Sequence, residues 1–170
     1  MGKGLPRSLS RGPEAKQEIV KKRIVINEAI EFTGSTGVAI FGTAVVGDYV
    51  EGNVAHIAAV ANLTFTGPGS ANLADDFQGD VSFGTTPASD ATLSGADVDI
   101  IASTAIPAAT AEVASVRATG STTAVFDNTD GSLEINMNIL LDADEVANGQ
   151  AVTITVTGEL WLVYTMLGDD

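Results

Sequence analysis

The stretch from Ala151 to Met166 limits the fold more than any other. Val152, Ile154, Val156, Leu160, Leu162, Tyr164 and Met166 share one parity, with Gly158 between them. A period of two is that of a strand with one buried face, whereas a helix repeats near 3.6. Ser132 to Asp142 has the same pattern. Leu133, Ile135, Met137, Ile139 and Leu141 face one way, and Glu134, Asn136, Asn138 and Asp142 face the other, with Leu140 the exception. Gly158 is either a bulge or a bend that lets one long strand serve two sheets.

Shorter runs fill the rest of the chain. Ile24–Phe32 alternates imperfectly, with Glu28 breaking the pattern, and Val38–Val46 is apolar on both faces. In Asn53–Thr66 the odd positions from Ala55 to Phe65 alternate, which favours a strand over the helix its alanines would allow. Further strands are expected near Gln78–Gly84, Asp97–Thr104, Glu112–Thr119 and Thr123–Asp127. Gly34–Gly37, Gly67–Gly69 and Asn128–Gly131 punctuate them as turns. The body is rich in Ala, Gly, Thr and Val, with six Phe, two Tyr and one Trp in the chain, which suits a thin two-layer core. About eight strands at this spacing predict an all-β, jelly-roll-like antiparallel β-sandwich over residues 24–170. A body of this size buries roughly 70% of its unfolded surface.

Residues 1–23 differ in kind. This N-terminal arm carries Lys3, Arg7, Arg11, Lys16, Lys21, Lys22 and Arg23, seven of the eight basic residues, against Glu14 and Glu18. Its formal charge is +5; the body, whose one basic residue is Arg117, carries −19, within a total of −14. Met1–Gly12 is expected to be extended, and Pro13–Arg23 has the marks of a short helix that orders only against a partner. An acidic body repels nucleic-acid phosphate and anionic lipid alike. The arm has no aromatic residue to interleave with bases, so it is read as docking on an acidic protein surface rather than on nucleic acid. Its charges would add many contacts of about 0–1 kcal/mol each. No apolar region follows the basic start, and no run approaches the ~20 apolar residues of a membrane helix.

Catalytic and metal chemistry finds few donors. The chain has no cysteine and a single histidine, His56, read as an incidental strand residue. The carboxylates fall at Asp75/Asp76, Asp97/Asp99, Asp127/Asp130 and Asp142/Asp144/Glu145. Asp127–Gly131 lacks the alternating ligand spacing of a calcium loop and is read as a hairpin turn, and Asp142–Glu145 as a solvated loop. Paired carboxylates for glycoside hydrolysis stay open, although a sugar cleft normally offers more aromatic surface. Arg117 is expected in a structural ion pair. Trp161 is expected in a second buried face or at a subunit contact. No cofactor is expected.

Three stretches resemble a known family. They are Asp80–Ala105, the turn Val125–Gly131, and the ending Gly158–Tyr164 with Leu167–Asp170. Together they are similar to virion structural proteins of tailed bacteriophages, in particular to jelly-roll head decoration (cement) proteins. The resemblance covers roughly Ser35–Asp170 and does not include the arm. It implies a non-enzymatic protein on the outer surface of the capsid, often trimeric or dimeric, whose partner is the major capsid protein. The alternative is a carbohydrate-binding or host-attachment sandwich on a tail or head fibre.

Overall fold

The structure is a computed structural model that describes residues 19–120 and 123–168. Nine strands run in chain order: β1 (Ile19–Thr33), β2 (Ile40–Asp48), β3 (Asn53–Thr66), β4 (Gly79–Gly84), β5 (Ile101–Ile106), β6 (Val113–Gly120), β7 (Ala124–Phe126), β8 (Glu134–Leu141) and β9 (Ala151–Gly168). They form two antiparallel sheets, β1-β9-β3-β6 and β2-β8-β4-β5, with β7 continuing the β6 edge against β3.

The pairing is nested. β4 pairs with β5, β3 with β6, β2 with β8 and β1 with β9, and successive pairs alternate between the sheets. This is a long hairpin rolled into a sandwich, the jelly-roll arrangement expected from the strand count.

The alternating residues of β8 and β9 build the core. Ile135, Met137, Ile139 and Leu141 face Val152, Ile154, Val156, Leu160, Leu162 and Tyr164 across the interlayer space, and all are buried. Ile24, Ile26, Ile30 and Phe32 of β1, Leu63 and Phe65 of β3, and Val81 and Phe83 of β4 complete it. Each such side chain contributes about 1.5–3 kcal/mol by leaving water. At the β1–β2 corner the layers meet closely. A Cβ on Gly42 would lie 2.5 Å from the Ile30 side chain, so only glycine lets β2 pass over β1 there.

Several expectations change. Ile19–Arg23 is not helical: β1 begins five residues before the expected boundary and pairs with β9 from Ile19↔Thr165 to Thr33↔Ala151. β9 stabilises these residues through a ladder of backbone bonds, which outweighs local helix preference. The rest of the arm, residues 1–18, lies outside the described residues. Asp97–Thr104 is not one strand: Gly95–Asp97 is a 3-10 turn and β5 starts at Ile101. Gly158 neither bulges nor changes sheet. β9 keeps its register past it on both sides, opposite Ile26 and Leu63.

A bulge lies in β3 instead. Its register against β9 shifts between His56 and Ala58. One extra residue reverses the parity, so Ile57 is exposed while Val54 and His56 turn inward.

Candidate docking surface

Three residues of the predicted docking set fall on β1. Lys21 is exposed and has no hydrogen-bond or ion-pair partner among the described residues. Lys22 donates from Nζ to the Asp48 carbonyl at the end of β2. Arg23 Nε donates to Glu159 Oε2 at 2.7 Å, and its guanidinium carbon lies 5.7 Å from the Trp161 ring centre. Hydrogen bonds from Trp161 and Arg23 hold the Glu159 carboxyl below its ordinary range. Two of the three cations are thus engaged by the protein's own strands, Lys22 by β2 and Arg23 by β9. Lys3, Arg7, Arg11 and Lys16 lie outside the described residues.

Trp161 lies on the outer face of the β1-β9-β3-β6 sheet and is exposed, so the second-buried-face alternative is overturned. The extended ladder puts Arg23, Trp161, Val60 and Thr119 in one row across four strands, and Val25, Glu159, Asn62 and Arg117 in the next. Asn62 separates Arg117 from Glu159. Arg117 makes no ion pair among the described residues, contrary to expectation. Val25 and Trp161 are the exposed large apolar side chains of these two rows, set among Arg23, Glu159, Asn62 and Arg117. No sequence motif pointed to that combination. Its signal was the parity of Trp161, opposite to that of Leu160 and Leu162.

The carboxylates act as local anchors. Asp127 Oδ1 accepts from the Thr129 amide and hydroxyl, and Asp130 Oδ1 does the same for Ser132. Between them the buried Asn128 donates to the Val50 carbonyl at 2.9 Å and accepts from the Leu133 amide at 2.7 Å. The Asp127–Gly131 segment is therefore a turn locked to the β2–β3 corner, but not the hairpin its sequence predicts: it carries the chain from β7 in one sheet to β8 in the other. Asp144 accepts from the Gly37 amide, joining the turns at one end of the sandwich. Asp99 accepts from the Thr85 amide and hydroxyl, while burial pushes its carboxyl upward. Among the described residues no three His, Cys, Asp or Glu side chains converge as metal ligands.

His56 is at the centre of an internal cluster. Its Nδ1 lies 3.1 Å from the Tyr49 hydroxyl. Tyr49 also packs edge-on against Tyr164 at 5.3 Å and tilted against Phe126 at 5.6 Å. Burial holds the imidazole below its usual 6.5 and raises the Tyr49 phenol, with Asp99 and then Tyr164 adding to the latter. As pH falls through about 6.5 the unfolded chain takes up the histidine proton first, so stability is lost until the folded imidazole also protonates. Asp99 and Glu145 work in the opposite sense, because their raised carboxyls protonate first in the folded state. The histidine's contribution to the melting temperature is therefore expected to fall between about pH 7 and pH 5.5. His56→Gln should remove that part of the slope, as calorimetry at both pH values would show. An equal slope in both proteins would contradict the burial argument.

A shallow groove runs along the β1–β2 corner, lined by Glu31, Thr33, Val38, Phe41, Ser89 and Asp90. It is open to solvent and brings one aromatic ring beside two carboxylates.

No protein-family model matches the chain, and no curated protein sequence matches it. Several solved structures are similar in shape. The arabinose-bound MgGH51 α-L-arabinofuranosidase aligns over 88% of this chain at 15% identity and a TM-score of 0.43, and the chain spans 23% of that enzyme's length. The Desmodium yellow mottle tymovirus protein aligns over 92% of this chain and 94% of its own, at 7% identity and a TM-score of 0.33. The infectious bursal disease virus VP2 subviral particle aligns over 92% of this chain and 46% of its own, at 11% identity and a TM-score of 0.23. Viral capsid proteins are thus among the structural neighbours, together with a glycosidase. At these identities and scores none of them fixes an activity for this chain.

Proposed function

We propose that this chain is a non-enzymatic structural protein of a virion: a decoration or cement protein that binds the major capsid protein on the outer surface of the head. The observation that carries the reading is the agreement between the phage-like stretches and the fold they imply. Asp80–Ala105 forms β4, its crossover and β5. Val125–Gly131 forms the anchored turn, and Gly158–Tyr164 lies in the central strand β9. The acidic body with its basic arm supports docking on a protein surface of opposite charge. On this reading many copies bridge neighbouring shell subunits, and the shell gains resistance to internal pressure by added buried contacts.

The arm is tested on undecorated capsid shells. The deletion must stop at residue 18, because Ile19–Arg23 belongs to β1 and its loss would damage the sheet. Four basic residues at about 0.4–0.7 kcal/mol each are worth roughly 10- to 100-fold in affinity. The protein lacking residues 1–18 should therefore bind more weakly by that factor, and full-length binding should weaken as salt rises. Equal occupancy by the two proteins would sink the arm's role. No binding of the full-length chain to any shell would sink the virion reading itself.

A further inference from the structure

A sandwich has exposed sheet edges, and this one protects them unequally. β2 shifts register between Val45 and Gly47, β5 is six residues long, and β6 stops at Gly120 before β7 resumes the edge. Bulges, shortness and interruption all discourage edge-to-edge pairing. β1 has none of them. It pairs with β9 over fifteen residues without a register shift, and no described residue pairs with its outer edge.

The charges of β1 are segregated. Lys21, Lys22 and Arg23 occupy its first third, and Glu28 and Glu31 its second half. Charges on an edge usually repel a second copy. Here an antiparallel second copy meets the basic end with its acidic end.

We infer that β1 is a seam for a second copy of this chain: two β1 strands pair antiparallel about a two-fold axis and join two β1-β9-β3-β6 sheets into one. A centre at Asn27 puts Arg23 opposite the second copy's Glu31, and Val25 opposite Ala29. On the inner parity Ile24 meets Ile30, so core-facing residues stay core-facing. Each Arg23 then lies between Glu159 of its own chain and Glu31 of the other. Val25, which is 68% exposed in the single chain, gains a hydrocarbon neighbour. A two-fold seam of this kind is self-complementary and closed, so it makes dimers rather than fibres.

This inference does not rest on the virion role, and it is tested on the full-length protein without capsid. Sedimentation should show a dimer. The chain has no cysteine, so Asn27→Cys places a single thiol on the proposed axis. Directly opposed antiparallel residues have Cα atoms about 4.5–5.5 Å apart, within the roughly 4.4–6.8 Å span of a disulfide. Mild oxidation should link Asn27→Cys into a covalent dimer and leave Ser115→Cys, on the opposite edge, unlinked. Glu31→Lys should weaken the dimer by about tenfold, since like charges then face each other twice across the axis. A monomeric wild type overturns the seam. So does a dimer that fails to cross-link at residue 27, or one that Glu31→Lys leaves unchanged. None of these results touches shell binding.

Discussion

Gly158→Ala is expected to abolish the folded sandwich or to lower its stability by more than about 4 kcal/mol. Gly158 has φ of +147°, a region that is essentially closed to residues with a side chain. That conformation alone costs about 1–3 kcal/mol for alanine. Space adds more. A Cβ at this position would sit 2.0 Å from the Asn62 carbonyl oxygen and 3.0 Å from the Leu63 Cα. Both atoms are backbone of β3, so no side chain can swing away. Relief requires β3 and β9 to separate at the middle of their ladder, which would also open Leu63 and Leu160 to water. Denaturant unfolding of Gly158→Ala beside Thr157→Ala would measure the difference. The exposed neighbour should change stability by no more than about 0.5 kcal/mol. A folded Gly158→Ala protein with near wild-type stability would refute the argument.

Asn138→Leu is the second large effect, expected at about 2–4 kcal/mol. Asn138 is fully buried on the outer side of β8, beneath the crossover from Thr85 to Asp99. All its amide bonds are made. Oδ1 accepts from the Thr43 hydroxyl at 2.9 Å and the Ala88 amide at 2.8 Å, and Nδ2 donates to the Thr86 and Asp97 carbonyls at 3.1 and 2.9 Å. Leucine keeps the approximate volume and removes every bond. The Asp97 carbonyl retains the Ser82 hydroxyl, but Ala88 N–H and the Thr86 carbonyl lose their partner. The crossover should loosen locally, and amide exchange at Ala88 should quicken well before global unfolding. Unchanged exchange there would mean that the crossover is held by other contacts.

Much of the fold was legible where alternation is uninterrupted. β8 and β9 show their inner faces in sequence because one layer of water-avoiding residues faces the other, and β3 was legible from Ala59 to Phe65 for the same reason. Non-local causes hid the rest. Nothing near His56 announces a bulge; it is the register against β9 that turns the imidazole inward. Lys21–Arg23 reads as the end of a basic tail, and only the far end of β9 makes it a strand. Asn136 and Asn138 carry the parity of a polar outer face, yet both are buried, because a crossover from another part of the chain folds over them. The candidate surface was legible in part. The basic residues stand out by charge, but their engagement by Glu159, Trp161 and the Asp48 carbonyl depends on strand neighbours far away in the chain.

The nested pairing also sets an order of events during synthesis. β9 lies between β1 and β3, so two earlier strands wait for one that is made well over a hundred residues after the first. Until it emerges, β3 has only β6 and β7, and β1 has no partner in its sheet. Long-range closures of this kind fold slowly, because chain entropy is lost before contacts compensate for it. The half-made chain thus presents the two flanks of β9's empty slot as open strand edges, and β1 carries its Lys and Arg run throughout that interval. Both flanks close only when the central strand arrives.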